Sequence, residues 1–367
     1  MNKTAEDVIY LAACAVNDRA PEKKRVESMD LEAVHRLASR HLINAAVSYA
    51  LVSAGYKDKI SDSAIAAAIR KTALFDKAWS RIRSSLEGAG IWYMPLKGAV
   101  LKNLYPKYGM REFADHDILF DASRADDVKA VMEDMGFTAN KFGAGVHDVY
   151  FKKPSLNFEM HRALFGMSHD RALYEYYDHV ESRLKKDRGY AQYFTPEDFY
   201  LYMTAHEYKH YTVAGTGLRS LLDTYVYLKA QPLDTEYTAA ESEKIGIRDF
   251  EEKNRSLSLH LFSGETLTPD DREMLDYILS SGTYGTIQHS VENKIHRNKY
   301  SKLGYMLDRF SVPVSRKDPR YISFAAMYPL FYKHKILLPL LPFYRIFRAV
   351  RSGRFKKEAK VLREAKR

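Results

Sequence analysis

Residues 91–120 read IWYMPLKGAVLKNLYPKYGMREFADHDILF, and within them the apolar pattern departs from the helical spacing of the flanking segments. Its first six residues, 91–96, are apolar and aromatic, which is typical of a buried strand. A helical pattern opens directly after Gly98, and the run 116–120 predicts a second strand. The change of period, with a glycine at the turn, indicates that a mixed α/β unit begins here.

The segments that follow complete this unit. A helical pattern over 122–137 is closed by Gly136, and the segments 147–153 and 156–164 predict an antiparallel hairpin. On both sides of the unit apolar residues recur at helical intervals, as they do over 31–51. We therefore predict an α+β fold in which a small mixed sheet is embedded in mostly helical N- and C-terminal parts.

Length and composition indicate a globular protein with several regions. The chain has 367 residues, which is more than one ordinary core accommodates, and 46% hydrophobic with 28% charged residues is typical of folded chains. We predict an N-terminal helical region (1–80), an α/β core (81–166), a helical domain (167–300) and a helical, basic amphipathic tail (301–367).

Cysteine usage and apolar runs bear on the cellular compartment. The single cysteine, Cys14, excludes an internal disulfide framework and a cysteine-based zinc knuckle. The first residues lack the basic start and long apolar centre of a signal peptide, and no run approaches the roughly 18 apolar residues of a membrane span. We therefore expect a cytoplasmic protein.

The net charge of +10 is concentrated at the C-terminus. Residues 345–367 contain ten Lys or Arg and two Glu, so the remainder is nearly balanced and nucleic acid is not favoured as a partner. Bulky apolar residues alternate with the basic ones. This fits weak peripheral contact with an anionic membrane surface, or a helix packed on the core with a solvated basic face, which we prefer.

Carboxylates flank the start of the second predicted strand. Because alternate side chains of a strand share a face, Asp115 and Asp117 are expected to point the same way, where their repulsion favours a hard divalent cation. Glu159 on the predicted hairpin reaches the same site if the hairpin pairs beside this strand. Three such carboxylates suit two-metal phosphoryl transfer. The alternative is the acidic pair that exposed strand ends often carry.

Lys97 and Gly98 precede these carboxylates at the turn from strand to helix. Gly98 allows a ligand to approach the backbone, the first amides of the helix point outward, and Lys97 adds a positive charge. This arrangement is typical of a phosphate cradle. A tight turn with a solvated lysine is the alternative.

A series of short motifs runs from about 80 to 230. It comprises Leu96-Lys97-Gly98, Leu104-Tyr105, Gly109, Arg111, Asp115, Asp117, Leu119, Glu159-Met160-His161, His206, Lys209, His210, Gly217, Leu218, Arg219, Leu221, Leu222 and Asp223. In this order the motifs resemble the uncharacterised nucleotidyltransferase family of the DNA polymerase β-like superfamily. His116, Phe120 and Arg162 depart from the family pattern; none of them removes a carboxylate, but a histidine at 116 could alter ion preference.

The resemblance implies a palm-like core that transfers a nucleoside monophosphate from an NTP to a hydroxyl-bearing acceptor and releases pyrophosphate. It implies Mg²⁺ or Mn²⁺ as cofactor, with Asp115, Asp117 and Glu159 as metal ligands and catalytic residues. ATP is the expected nucleotide, whereas the acceptor and the oligomeric state are not indicated. The residues implied to contact the nucleotide are Lys97, Gly98, Arg111, His206, Lys209, His210, Arg219 and Asp223.

The pentapeptide HEYKH, residues 206–210, also matches the H-E-x-x-H pattern of zinc hydrolases. Such enzymes need a third protein ligand, which the following YTVAGTG does not offer, so a zinc hydrolase is not favoured. Histidines packed between helices are one alternative. The other, which we expect, is contact with the triphosphate or acceptor, with Lys209 and Arg219 facing the cleft and Asp223 orienting the Arg219 guanidinium.

Two functions of another class stay open. One is a catalytically inactive nucleotide-binding or scaffolding protein, against which the three carboxylates count. The other is a basic module that binds RNA or a membrane surface through the tail.

Overall fold

The computed structural model describes residues 1–56, 58–143, 145–167, 170–186, 189–297, 301–318 and 320–364. Its first five helices are α1 (Lys3–Val16), α2 (Lys23–Glu27), α3 (Leu31–Arg40), α4 (Asn44–Ser53) and α5 (Lys59–Gly88). α5 begins where the Asp58 carboxylate accepts hydrogen bonds from the backbone N–H groups of Ile60 and Ser61, and it continues for 30 residues. A helical region thus precedes the sheet, as predicted.

Five strands form one mixed sheet. The chain passes through β1 (Tyr93–Pro95), α6 (Gly98–Leu101), β2 (His116–Phe120), α7 (Ala125–Asp134), β3 (Thr138–Lys141), β4 (His147–Lys152) and β5 (Leu156–His161). The strand order is β1-β2-β5-β4-β3. β2 pairs in parallel with β5, and the other pairs are antiparallel. The predicted hairpin is confirmed, β3 was not predicted, and α6 is a single turn rather than a full helix.

The two faces of the sheet have different surroundings because side chains alternate along each strand. Ile118 and Phe120 of β2 and Phe158 of β5 pack in one buried cluster with Phe75 and Ile82 of α5. The odd-numbered positions of β2 and β5 point to the opposite face. That face carries the predicted carboxylates. Burial of the apolar residues fixes the register of the two strands, and this register places the carboxylates toward the cleft.

Helices make up most of the remaining chain. They are α8 (Arg171–Tyr177), then after the two-residue strands β6 (Lys185–Lys186) and β7 (Gln192–Tyr193), α9 (Pro196–Val213), α10 (Leu218–Ala230), α11 (Thr235–Ile245), α12 (Arg248–Ser263), α13 (Pro269–Ser281), α14 (Ile287–Arg297), α15 (Lys302–Phe310), α16 (Tyr321–Met327), α17 (Pro329–Lys333), α18 (Leu341–Arg351) and α19 (Arg354–Glu364). The α+β prediction, a mixed sheet within mostly helical parts, is confirmed.

The helix that carries HEYKH starts as its sequence predicts. Thr195 accepts a hydrogen bond from the backbone N–H of Asp198, and Pro196 occupies the first helical position of α9. The N-terminal helices share one buried cluster with α10, α12 and α13, in which Leu11, Leu51, Leu222 and Leu257 are fully buried. The helices on both sides of the sheet region therefore pack together, and the predicted domain boundaries stay predictions.

Candidate active-site cleft

A cleft of about 380 Å³ lies between the polar face of the sheet and the helices α9 and α10. All eleven predicted site residues line it, although they come from distant parts of the chain. They are Lys97, Gly98, Arg111, Asp115, Asp117, Glu159, His206, Lys209, His210, Arg219 and Asp223. The structure brings these residues together, while their individual roles stay predictions.

The carboxylates lie side by side because of the strand pairing. Asp117 in β2 is the register partner of Glu159 in β5, so the two side chains leave the same face of the sheet at neighbouring positions. Asp115 immediately precedes β2 and lines the same cleft. The expectation that the hairpin pairs beside this strand is confirmed, since β5 is the hairpin strand next to β2.

Asp117 makes two short polar contacts in the cleft. Its Oδ2 lies 3.0 Å from Lys97 Nζ, and its Oδ1 lies 2.8 Å from His161 Nε2. Burial alone would raise the pKa of Asp117, but the Lys97 ammonium and the His161 hydrogen bond hold that pKa well below its ordinary value. Asp117 is therefore a permanent negative charge on the cleft floor.

Asp115 and Glu159 have the opposite tendency. Burial and then the Asp117 charge raise the pKa of Asp115 above its ordinary value. Burial and the charges of Asp117 and Asp115 raise the pKa of Glu159 to about 7. A divalent cation bound beside these carboxylates would favour their ionised forms and lower both pKa values.

Lys97 has an unusual backbone as well as a central position. Its φ of 39° and ψ of −111° lie outside the regions that a side chain with a Cβ normally occupies. The ammonium reaches both Asp117 and His206, whose Nε2 is 3.0 Å from Lys97 Nζ. Such conformations persist where the surroundings over-determine them, here by an ion pair in the cleft.

Gly98 has a packing role that the sequence did not indicate. A Cβ at position 98 would collide with Arg111 Nη1, so the glycine makes room for a buried guanidinium. The helix after it is one turn long, so its dipole adds little to a phosphate site. The expected approach of a ligand to Gly98 stays a prediction.

Arg111 is fixed from the helical side of the cleft. Its Nε and Nη2 each donate to a different oxygen of Asp223 at 2.7 Å, and Tyr105 Oη donates to Asp223 Oδ1 at 2.7 Å. The expectation that Asp223 orients Arg219 is therefore wrong, because the Asp223 oxygens bind Arg111 instead. Arg219 Nη1 donates to the backbone oxygen of Glu112 at 3.1 Å.

The side chains of HEYKH divide between two environments. His206 and His210 have their Nε2 atoms 3.2 Å apart in the cleft, where burial and Lys97 lower the pKa of His206 well below its ordinary value. Burial and Lys97 also lower the pKa of Lys209 to about 8. Glu207 is buried, and its Oε2 accepts from Asn254 Nδ2 of α12 at 3.1 Å. Glu207 thus links α9 to α12.

Two histidines of the cleft were missed as site residues. His147 in β4 and His161 in β5 are register partners, and with Glu159 they form the group of side chains that could hold a metal ion among the described residues. The sequence did contain the information needed to find them. A hairpin whose turn is at 153–155 pairs residue 152 with 156, and continuing that pairing along both strands places 147 opposite 161. Strand alternation then places both rings on the Glu159 face.

His116 and Arg162, which depart from the family pattern, do not enter the cleft. His116 lies on the apolar face of the sheet, where its ring stacks on Phe75 at 5.9 Å between centroids and burial lowers its pKa to about 3. Arg162 pairs with Asp148, Nη2 to Oδ2 at 2.7 Å. His116 therefore makes no contact in the cleft through which it could directly affect the choice of ion.

Acidic groups lie on adjacent strands of a small mixed sheet and face cationic side chains across the cleft, an arrangement consistent with a nucleotidyltransferase core. The chain matches the family described as uncharacterised nucleotidyltransferase over residues 27–263. The match covers more than half of the chain, and the chain belongs to this family. A search of curated proteins gave no match. A search of solved structures gave none either.

None of the helices in the described ranges combines the length and the apolar composition needed to cross a membrane.

Proposed function

We propose that the protein transfers a nucleoside monophosphate from an NTP to a hydroxyl-bearing acceptor, with release of pyrophosphate. The single observation that carries the proposal is the register of Asp117 and Glu159 in parallel strands. Asp115, two residues before Asp117, lines the same cleft. This arrangement gathers carboxylates where a triphosphate and its cations would bind. Lys97, Lys209 and Arg219 line the cleft and supply the opposite charge.

The cleft offers donors for a divalent cation, although the described side chains whose ligand atoms all lie within 4.8 Å of one another are His147, Glu159 and His161 rather than the three carboxylates. Asp115, Asp117 and Glu159 offer the oxygen ligands that Mg²⁺ and Mn²⁺ bind, and burial together with the charge of Asp117 raises the pKa values of Asp115 and Glu159. When bound, the cation would neutralise charge on the triphosphate. The choice between the two ions depends on further ligands.

The proposed transfer forms a bond between the acceptor oxygen and the α-phosphorus and breaks the bond from that phosphorus to the oxygen shared with the β-phosphorus. Pyrophosphate leaves, and the acceptor hydroxyl, oriented beside Glu159, gives its proton to solvent water, because a cation bound beside Glu159 would lower the pKa of about 7 that this carboxyl has without one. Lys97 and Lys209 would hold the phosphates. Arg111, fixed by Asp223, would orient its remaining N–H toward them.

The test is incubation of the full chain with each α-labelled NTP, a divalent cation and a panel of hydroxyl-bearing acceptors. The panel covers small hydroxylated molecules, sugar phosphates, peptide side chains and RNA ends. Label transferred to one acceptor class, with release of pyrophosphate, supports the proposal. If the label is released only as free NMP or not at all with every acceptor, the proposal fails.

Lys209→Ala is expected to lower kcat/KM for the NTP by about 10–100-fold, mostly through a higher KM. Loss of one hydrogen bond to a charged group costs roughly 1.5–3 kcal/mol, which corresponds to that range. Steady-state kinetics of label transfer measure the effect. Glu207→Gln on the same helix is the matched control, because Gln keeps the acceptor oxygen for Asn254 and should retain near wild-type kinetics. Equal losses in the two variants would contradict the assignment of Lys209 to the nucleotide.

A further inference from the structure

Two imidazole rings and a carboxylate converge beside Asp117. His147 Nε2 lies 3.3 Å from Glu159 Oε2, and His161 Nε2 lies 3.9 Å from the same oxygen. One ligand atom from each of the three side chains lies within 4.8 Å of the others, and the two ring centroids are 5.0 Å apart. Asp117 Oδ1, 2.8 Å from His161 Nε2, adds an oxygen at the edge of the group.

We infer that His147, Glu159 and His161 form a subsite for a first-row transition-metal ion, for which Mn²⁺ is the probe. Mg²⁺ prefers oxygen ligands and retains its waters, whereas imidazole suits the later first-row transition metals; Mn²⁺ is the weakest binder of that series and therefore the most demanding probe. A cleft with carboxylates alone would not discriminate strongly between the two ions. The two histidines make one ion position of the cleft selective for the transition metal.

The inference deepens the proposed function and rests on it only for the place of the ion in the reaction. The binding of the ion itself follows from the side chains, and it can be measured without any nucleotide. His147 is the better position to change because about a third of its side chain is exposed, whereas the His161 side chain is almost fully buried.

The experiment is a titration of the metal-free full chain with Mn²⁺ in excess Mg²⁺, followed by the electron paramagnetic resonance of free Mn²⁺. We expect one Mn²⁺ per chain that Mg²⁺ does not displace, and at least about tenfold weaker binding in His147→Gln. His260→Gln is the matched control. His260 Nδ1 also lies 2.8 Å from a carboxylate, that of Asp271, but outside the cleft, so this variant should bind Mn²⁺ as the wild type does.

Equal affinity for Mn²⁺ and Mg²⁺ overturns the inference, and so does a His147→Gln variant that binds Mn²⁺ as tightly as His260→Gln. Failure of the proposed function gives a different pattern. In that case Mn²⁺ binding depends on His147, but no NTP donates its nucleotide to any acceptor. Nucleotidyl transfer with histidine-independent Mn²⁺ binding means instead that the proposed function stands and the subsite does not exist.

A second, independent observation concerns the C-terminal helix α18. Leu340, immediately before the helix, and Phe343, Phe347 and Val350 within it recur at helical intervals, and their exposed fractions are 56%, 69%, 61% and 51%. We call this row the apolar stripe. The opposite side of the helix is packed, since Leu341 and Ala349 are buried. Large apolar side chains in such a row are unusual on a surface that meets only water.

The orientation of α18 is fixed by polar contacts. Arg345 donates from Nη1 to the backbone oxygen of Ser311 at 2.7 Å and from Nη2 to that of Arg309 at 2.8 Å. Its guanidinium also lies over the Phe324 ring, 4.8 Å from the centroid. Rotation of the helix to bury the stripe would break these contacts, so the stripe faces outward in the folded protein.

The segment that carries the apolar stripe is rich in basic residues. Residues 329–364 contain ten Lys or Arg and two Glu, and one of the two, Glu358, is buried against Arg309. Arg348 and Arg351 of α18 are both exposed. The geometry points to an anionic lipid surface as the partner: apolar side chains would enter the acyl boundary and the arginines would meet phosphate groups.

Flotation of the full chain with phosphatidylcholine vesicles, with and without phosphatidylglycerol, tests this second proposal. We expect binding that requires the anionic lipid, weakens at high salt, and falls at least tenfold in the double variant Phe343→Ser with Phe347→Ser. Ile60→Ser is the matched control, because Ile60 is an exposed apolar residue of α5, 49% accessible, and should have no effect.

Equal binding to neutral vesicles overturns the proposal, as does unchanged binding by the double serine variant. A third result also overturns it. If the wild type forms a dimer that the double serine variant cannot form, and neither binds vesicles, then a second copy of the chain covers the stripe.

Discussion

Asp117→Asn is expected to lower the rate of nucleotidyl transfer by about a thousandfold, the upper range for removal of one preorganised charge-stabilising group. Asp117 is the carboxylate that contacts both Lys97 and His161 and stays ionised in spite of its burial. Asparagine keeps the shape and removes the charge, so the cleft loses both a ligand for the cation and the ion-pair partner of Lys97. Label transfer under saturating NTP measures the effect.

Asp148→Asn is the matched control for this variant. Asp148 is another buried aspartate of the same sheet, in β4, but it pairs with Arg162 and does not line the cleft. We expect it to reduce stability and to leave the transfer rate per folded molecule within a few-fold of the wild type. An Asp117→Asn variant that retains a tenth of the activity, or an equally inactive Asp148→Asn variant, would contradict the catalytic role assigned to Asp117.

Asp223→Ala is expected to lower the free energy of unfolding by about 3–5 kcal/mol, because it leaves the Arg111 guanidinium buried without its partner. The side chains of Arg111 and Asp223 are 5% and 8% exposed, and two hydrogen bonds of 2.7 Å join them. The pair ties the loop before β2 to α10. Its loss therefore affects the stability of the whole cleft, and urea unfolding measures it.

The double variant Arg111→Met with Asp223→Leu distinguishes two contributions to the free energy of unfolding: the destabilisation by an unpaired buried charge and the net stabilisation by the ion pair. It should recover much of the loss, with roughly 1–3 kcal/mol remaining because Tyr105 Oη also loses its acceptor. Glu175→Ala breaks the exposed Arg171–Glu175 pair and should change stability by less than about 0.5 kcal/mol. A double variant no more stable than Asp223→Ala would contradict this account.

Local periodicity made the carboxylate site predictable from the sequence. Asp115 and Asp117 are two residues apart at a strand, and the hairpin that bears Glu159 is short enough to be recognised by its turn and its apolar alternation. The start of α9 was equally predictable, because Thr195 and Pro196 form a local capping signal. Predictions of this kind depend on neighbours in sequence.

Contacts between distant residues could not be predicted in the same way. Asp223 and Arg111 are 112 positions apart, and Arg219, four residues from Asp223 on the same helix, was the more obvious partner by spacing. Only the packing of α10 against the loop before β2 decides between them. β3 was missed for a related reason: Thr138–Lys141 is short and polar, and its strand conformation comes from pairing with β4.

The measurement that tests the central claim most directly compares ATP labelled at the α-phosphate with ATP labelled at the γ-phosphate, in the presence of Mn²⁺ or Mg²⁺ and the responding acceptor. The account predicts that only the α-label enters the acceptor, with one pyrophosphate released for each transfer, and that Asp117→Asn abolishes both. Transfer of the γ-label, or transfer of the α-label that survives Asp117→Asn, would contradict it.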